Sequence, residues 1–464
     1  MTGWLAGPLA ALAGWLAWAR VAGAAPWRAW RDAAPVGGLW LLALGAAGRP
    51  LLAGLWAGAA LAALALADAA KRRALREPLH ALDGALLREV LRHPHLYLPF
   101  AGPLPLAALA ALVGAGSAGL LAAEPGGLGW AGRAAALAAG AALLAFPRLA
   151  PAAALARDPA LDSARIGPAT TLLAHAAIAR AERRRRQAEA APADPPPSLP
   201  DPAPHLVLLQ LESFWDARGR TPRADAPALP GWDALAAQAL VRGRLAVPGF
   251  GANTMRAEFA ALTGLPEAAL GLDALNPYAA FARRPVGSLA HRLAAAGYAT
   301  LALHPHDPRF FGRDRVLPAL GFRRFEAEEA FRGAPREGRY VADAALGEAI
   351  AARLAESAGP AFLFAISIAA HGPWDAADPF ADWAARIART DSMLARLAGA
   401  ARALPRPVVL LAWGDHLPSL PETAALPDWR TDWLAWHSAR PGRGALRDIA
   451  AADIPAEALA ALSA

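Results

Sequence analysis

Hydrophobic positions along this chain follow two regimes. Up to about residue 150, Ala, Leu, Gly and Trp form long stretches with few charges. From 151 to 464 the apolar runs shorten and alternate with Ala/Leu-rich stretches of helical length, and this part carries most of the Asp, Glu and Arg. A bilayer core takes about 20 apolar residues per helix, which marks candidate spans near 4–25, 33–48, 50–69, 98–122 and 128–148. Only Gly48-Arg49-Pro50 separates the second from the third, so a single long kinked segment is the alternative there. The first span lacks a cleavage site behind a short apolar core and reads as an anchor, not a removed signal.

In the second regime the β-like runs are His205 to Leu211, Thr300 to His304, Ala361 to Ile368 and Pro407 to Trp413. Helical stretches at 231–241, 286–297 and 343–357 lie between them. Alternation of strands and helices predicts an α/β domain with a mainly parallel sheet covered on both faces. The expected organisation is an α-helical membrane region of about five helices over 1–150, a connecting helix and Pro-rich linker over 151–204, and an α/β domain over 205–464.

Composition sharpens this picture at a few points. The apolar share of 56% is high for a wholly soluble protein, in keeping with the spans. The net charge of +7 raises nucleic acid as a partner, but the arginines are not interleaved with aromatics on a recognisable binding module, so no nucleic-acid partner is expected. The densest basic run, Arg183 to Arg186, precedes the Pro- and Asp-rich stretch Ala191 to Pro204 and reads as a solvated helix end, with anionic lipid headgroups as an alternative contact. Five spans with the amino terminus inside put the soluble domain outside, but they also put Lys71-Arg72-Arg73 and Arg76 outside, against the positive-inside tendency. The absence of cysteine fits either side of the membrane.

Ligands of parallel α/β sheets gather at the carboxyl ends of strands. There the chain places Glu212-Ser213-Phe214, His304-Pro305-His306-Asp307, His371-Gly372-Pro373-Trp374 and Gly414-Asp415-His416. Each alone reads as a turn with an incidental polar residue; four together point to a site. The run Gly249 to Gly264 adds Thr254, a hydroxyl in a glycine-lined turn entering a helix, where backbone N–H groups suit a phosphate. Glu212, Asp415 and His416 offer two carboxylates and an imidazole, suited to Mn²⁺, Mg²⁺ or Zn²⁺, with Thr254 as a fourth ligand. Such an ion would make the threonine a nucleophile near neutral pH. Arg313 can clamp a phosphoryl oxygen. His371 can hydrogen-bond the transferring group or protonate a departing oxygen.

Structural alternatives stand beside these roles. Glu212 can cap a helix, Arg313 can pair with Asp314 on the surface, and one of His304 and His306 packs while the other faces the site. Met255, Phe259 and Leu262 follow Thr254 at core spacing. Glu258, one turn after Thr254, is expected to support the site by hydrogen bonding.

Leu211-Glu212-Ser213-Phe214, Thr254 four residues before Glu258-Phe259, Leu262-Thr263-Gly264, Phe310-Phe311-Gly312-Arg313-Asp314, His371 and Gly414-Asp415-His416 together resemble the lipoteichoic acid synthase family. These are membrane phosphoglycerol transferases of the alkaline phosphatase and sulfatase superfamily. The resemblance covers about 204–420. It implies Thr254 as nucleophile, Glu212, Thr254, Asp415 and His416 around a divalent ion, with Mn²⁺ first, and Phe311, Arg313 and His371 around the phosphoglycerol group. His306 and Asp307 would lie on the substrate side. Phe311 stands where the synthases carry tryptophan, and Gln210 where a histidine precedes the glutamate by two. The implied activity moves a headgroup from a phospholipid donor, such as phosphatidylglycerol, to a glycan or glycerophosphate polymer. The implied location is the cell membrane, multi-pass, with the catalytic domain extracytoplasmic. A phosphoethanolamine transferase or phosphodiesterase of the same superfamily is the alternative, and a non-catalytic membrane-anchored binding protein is a further one. A sulfatase proper needs a Cys or Ser in a Cys/Ser-x-Pro-x-Arg setting at the nucleophile position, which holds threonine here.

Overall fold

The computed structural model describes residues 2–464 apart from 26, 28, 86–91, 93, 95–101, 147–154, 189–194, 252, 283, 285, 376 and 425. Parts of the fourth and fifth expected spans (98–101 and 147–148), parts of the expected linker region (151–154 and 189–194) and Ala252 of the Thr254 turn therefore lie outside the described residues. The chain divides into two compact units, Met1–Arg186 and Gln187–Ala464.

The first unit contains α1 (Thr2–Val21), α2 (Ala33–Ala47), α3 (Pro50–Leu75), α4 (Pro103–Ala123), α5 (Trp130–Ala145), α6 (Pro159–Ile166) and α7 (Pro168–Ala188). Among the described residues, α3 and α4 are long and apolar enough to cross a membrane. The kinked single segment is not found. Gly48, at φ +68°, ends α2 with its N–H on the Leu44 carbonyl, and Pro50 opens α3. A left-handed glycine followed by proline is a stop and a restart.

Small residues bring α1 and α3 into backbone contact. A Cβ on Gly14 would lie 2.2 Å from the Gly58 carbonyl oxygen, and one on Gly54 would lie 2.3 Å from that of Gly7. Such close approach lets van der Waals contact between backbones hold apolar helices together. Polar groups then tie the helix ends. Glu124, after α4, accepts from the backbone N–H of Leu51 and Leu52 at 2.8 and 3.0 Å, at the start of α3. Arg133 of α5 donates to the carbonyls of Gly45 and Ala46 at the end of α2. Asp32, just before α2, accepts from Thr170 N–H at 2.7 Å, at the start of α7. Two cations at the end of α3 pair locally: Lys71 meets Asp83 at 2.9 Å and Arg72 meets Asp68 at 3.0 Å.

In the second unit, β1 (His205–Leu211), α8 (Pro230–Ala237), β2 (Val241–Ala246), α9 (Thr254–Thr263), α10 (Leu289–Ala295) and β3 (Ala299–Leu303) come first. Next follow α11 (Arg313–Ala319), β4 (Arg324–Glu326), β5 (Arg336–Glu337), β6 (Tyr340–Val341), α12 (Asp343–Ala355) and β7 (Ala361–Ile366). After these come α13 (Pro379–Ala403), β8 (Val408–Gly414), β9 (Thr431–His437), β10 (Ala445–Leu446), β11 (Ile449–Ala450) and α14 (Ile454–Ser463), with short helical turns left unlabelled.

The main sheet runs β10-β2-β9-β8-β1-β7-β3-β4, with β11 also on β2, and β5-β6 form a separate hairpin. From β8 to β4 every pair is parallel, whereas β9 is antiparallel to both β8 and β2. The central strands are buried throughout. Val207, Leu209 and Leu211 of β1 enter one core and Leu206 and Leu208 the other, as a sheet covered on both faces requires.

The four expected strands are present within one or two residues at each end. The expected helix 231–241 stops at Ala237, because Val241–Ala246 pairs with β9 as a strand. The expected helices 286–297 and 343–357 are shorter, at Leu289–Ala295 and Asp343–Ala355. The long α13 was not expected. It contributes Asp391, whose carboxylate oxygens accept from Gly231 N–H at 2.8 Å and Trp232 N–H at 2.6 Å, capping α8. A helix start needs such acceptors for its orphan donors, and here a distant side chain supplies them.

Candidate active site

Strand register brings the site together. Leu211 lies opposite Gly414 and Gln210 opposite Ile366, so the tips of β8, β1 and β7 are level. Glu212 and Asp415 therefore leave neighbouring strands side by side. Ser213, at φ +52°, joins them: its N–H donates to Asp415 Oδ1 at 2.8 Å and its hydroxyl to Glu212 Oε1 at 2.7 Å. Glu212 N–H in turn donates to Ser367 Oγ at 2.9 Å, beyond β7. A left-handed serine is uncommon, and such residues concentrate where a site over-determines the backbone.

Gly414 permits this approach. A Cβ there would sit 1.9 Å from the Phe214 carbonyl oxygen, closer than any contact allows. Gly414→Ala should therefore cost about 1–3 kcal/mol of stability, as overpacking does, and separate Glu212 from Asp415. The measurements are thermal unfolding and divalent-ion affinity; an alanine variant equal to the parent in both would show that the turn yields without consequence.

Ligand atoms of Glu212, Asp415 and His416 lie within 4.8 Å of one another, and all three residues are buried. His416 Nε2 stands 3.2 Å from Asp415 Oδ2, 3.6 Å from Glu212 Oε1 and 3.3 Å from Thr254 Oγ1. The other ring nitrogen, Nδ1, donates to the Leu417 carbonyl at 3.1 Å, which leaves Nε2 bare toward the cluster. Asp415 Oδ2 is buried with no hydrogen-bond partner among the described residues. Burial, reinforced by Asp415, pushes the Glu212 carboxyl up to about 8, and burial raises Asp415 as well. Two carboxylates, a bare imidazole nitrogen and an orphan oxygen fit a divalent cation, which would favour both charges at once.

Thr254 is the first residue of α9 and only 5% exposed. Its turn is held from behind by Arg256, whose Nε donates to the Leu275 carbonyl at 3.2 Å and Nη1 to that of Pro248 at 3.3 Å. Gly251 at φ +68° makes the reversal that points α9 at the cluster. Met255, Phe259 and Leu262 are core, as their spacing predicts.

Arg313 does not pair with Asp314, which lies instead 3.7 Å from Arg315. It is buried and forks onto Glu258, through Nε to Oε2 at 3.0 Å and through Nη2 to Oε1. Glu258 also accepts from Gln210 Nε2 at 3.1 Å and Tyr278 Oη at 2.7 Å. Its support thus reaches Arg313 and not Thr254. Arg313 Nη1 has no hydrogen-bond partner among the described residues and is a donor held ready in a dry place. Phe311, at φ +56°, lays its ring 5.2 Å from the Arg313 guanidinium carbon.

His304 is the packed member of its pair: it is buried, its Nδ1 lies 3.1 Å from the Ile366 carbonyl, and burial holds its pKa well below the usual value. His306 is half-buried, stacked on His304 at 5.7 Å and 6.3 Å from Tyr340. Asp307 pairs with Arg309 at 2.9 Å. His371 is half-buried; its Nδ1 lies 2.6 Å from the Gly372 carbonyl, and burial lowers its pKa. Glu212 caps no helix, since its carboxylate faces Ser213 and His416.

The sulfatase family profile matches residues 204–463, more than half of the chain. The chain belongs to the sulfatase family. Curated relatives agree in extent. The capsular polysaccharide biosynthesis protein RkpI of Rhizobium meliloti is 36% identical over 244 residues, 50% of this chain and 45% of its own. A putative cyclic beta-1,2-glucan modification protein of the same organism is 31% identical over 235 residues, 47% of this chain and 36% of its own. Each match thus takes in less than half the length of the relative. Among solved structures, the integral membrane lipooligosaccharide phosphoethanolamine transferase A (EptA) of Neisseria meningitidis aligns with 89% of this chain and 88% of its own at TM-score 0.53. At 11% identity that likeness speaks for the fold: an N-terminal helical region followed by a mixed α/β domain.

This sulfatase-family domain also uses residues that sequence reasoning passed over. In sequence Ser213 reads only as a neighbour of Glu212 and Ser367 as the interior of a strand, and Tyr340 carries no signal. A left-handed turn is invisible in Glu-Ser-Phe. Tyr340 is brought to His371 by a two-stranded hairpin whose strands are too short to leave a pattern.

Proposed function

We propose that this sulfatase-family chain is a membrane-anchored, metal-dependent phosphotransferase. It moves a phospholipid headgroup, phosphoglycerol from phosphatidylglycerol, through a covalent intermediate on Thr254 to a glycan or glycerophosphate polymer. The carrying observation is Thr254 Oγ1 at a helix start, 3.3 Å from His416 Nε2, which itself stands 3.2 Å from the orphan oxygen of Asp415. Glu212, Thr254, Asp415 and His416 would hold the cation, with Mn²⁺ the first candidate and Mg²⁺ or Zn²⁺ next. When bound, it would lower the proton affinity of the threonine hydroxyl and balance charge on the phosphoryl oxygens.

The chain's own groups supply the rest. Arg313 Nη1 donates to a phosphoryl oxygen, and Phe311 offers its ring to the glycerol carbons. His306 and Asp307 border the substrate side, with Asp307 acting through its pairing with Arg309. The Thr254 oxygen attacks phosphorus as the P–O bond to diacylglycerol breaks, and the proton given up by the threonine hydroxyl ends on the departing diacylglycerol oxygen. The Nε2 of His371 takes the proton of the acceptor hydroxyl as that oxygen attacks and the bond to Thr254 breaks. The Nδ1 of that ring is held 2.6 Å from the Gly372 carbonyl, which leaves Nε2 as the proton acceptor. The names of the two curated relatives, one in capsular polysaccharide biosynthesis and one in glucan modification, support a glycan acceptor.

The reading places a membrane region over 1–150, a connector over 151–204 and the catalytic domain over 205–464. The domain would be extracytoplasmic on a multi-pass anchor in the cell membrane. The test is the intact mass of the full chain after incubation with vesicles of phosphatidylglycerol or of phosphatidylethanolamine. A phosphoglycerol increment located on Thr254 supports the reading, and a phosphoethanolamine increment reassigns the donor. No increment with either lipid, under conditions where divalent ion is bound, overturns the reading.

A further inference from the structure

We propose that Tyr340 is a positioning residue that sets the tautomer of His371, and so readies its Nε2 to take the proton of the acceptor hydroxyl. This rests on the assignment of proton transfer to His371 made above. Tyr340 lies on the β5-β6 hairpin, outside the main sheet, and is buried. Its hydroxyl donates to the Gly372 carbonyl at 2.7 Å and lies 3.2 Å from His371 Nδ1. The same carbonyl stands 2.6 Å from His371 Nδ1.

A carbonyl oxygen only accepts, so a nitrogen that close to it must carry the proton. The Tyr340 hydroxyl, donating to that carbonyl, holds it against Nδ1, so that removing the hydroxyl frees the carbonyl to turn away and leaves the tautomer unfixed. The Tyr340 oxygen also presents a lone pair to the same Nδ1–H. Two oxygens therefore bracket Nδ1, and the neutral ring carries its proton there. The opposite nitrogen is left with a lone pair and becomes the base. The tyrosine ring meets the imidazole edge-on at 5.7 Å, which fixes the plane of the ring as well as its proton. During transfer from Thr254, the acceptor O–H bond breaks and its proton passes to Nε2. The new P–O bond forms on that side as the P–O bond to Thr254 breaks, and the threonine oxygen keeps the electron pair. A histidine with the other tautomer would present N–H to the acceptor and could take no proton from it.

The test compares the full chain with Tyr340→Phe, which keeps the ring and removes the hydroxyl. Two readouts are taken, both on protein in lipid bilayers with divalent ion. Histidine ¹⁵N spectra, with His371→Gln identifying the signal, report which nitrogen of the neutral ring bears the proton. Quenched-flow mass analysis reports formation and resolution of the Thr254 adduct separately. The expected results are an Nδ1–H tautomer in the parent and a mixture in Tyr340→Phe. Resolution of the adduct should slow about 10-fold more than its formation, a share of the usual worth of acid-base catalysis. An Nε2–H tautomer in the parent overturns the proposal, and so does a pure Nδ1–H tautomer in the variant. Equal slowing of both steps also overturns it, since that marks a merely structural role. If the parent forms no adduct with any lipid, the phosphotransfer reading falls, and the tautomer spectra decide on Tyr340 by themselves.

Discussion

Thr254→Ala should lower headgroup transfer by roughly four to six orders of magnitude, the loss seen when a nucleophile is removed from a covalent mechanism. The side chain is small and near a helix start, so its truncation leaves only a slight cavity, and the fold should hold. Thr254→Ser keeps the hydroxyl and should retain measurable transfer, separating chemistry from packing. Divalent-ion affinity should fall in the alanine variant but not vanish, because Glu212, Asp415 and His416 remain within 4.8 Å of one another. The measurement is release of diacylglycerol and transfer of labelled headgroup by each variant, alongside thermal unfolding. Full activity of Thr254→Ala would remove the threonine from the mechanism altogether.

Stripped of divalent ion, the protein should become less stable as pH rises from about 4.5 to about 8. Burial, with Asp415 as the second cause, raises the Glu212 carboxyl from 4.5 to about 8 in the fold. Between those values the folded chain keeps a proton that the unfolded chain has released. The stabilising contribution is whole below the unfolded value and is lost as pH climbs through the folded one. For a domain of this size the melting temperature should drop on the order of 5 °C or more across the window. Added Mn²⁺ replaces the proton and should reverse the trend, since both carboxylates must ionise to bind it and affinity then rises with pH. Thermal scans with and without chelator across this range make the comparison. A metal-free melting temperature that climbs with pH would mean that the pair is not buried together as described.

Much of this was legible in the residues. The β1, β3, β7 and β8 runs are apolar and bounded by turn formers, so their positions and the chemistry beyond their ends follow from pattern alone. Glu212, Asp415 and His416 were readable because carboxylates and imidazole recur at several strand tips. Less was legible where partners are far apart in sequence. Val241–Ala246 reads as a helix end, because Arg242, Gly243 and Arg244 break its apolar run and its partner β9 lies nearly two hundred residues away. The pairing of Arg313 with Glu258 rather than Asp314 was hidden for the same reason, since adjacency in sequence favoured the wrong acid. The turn at Ser213 depends on a backbone conformation that its composition does not announce.

The level tips of β8, β1 and β7 carry an evolutionary consequence. Glu212, Asp415 and His416 are set by strand register, which moves only if whole strands slip, so the reacting centre resists drift. Phe311, His306 and Tyr340 sit on connections between β3 and β7, where insertions and exchanges are tolerated. Under the proposed transfer, headgroup preference could therefore be altered by exchanges in that one stretch of chain without moving the cluster that strand register holds in place.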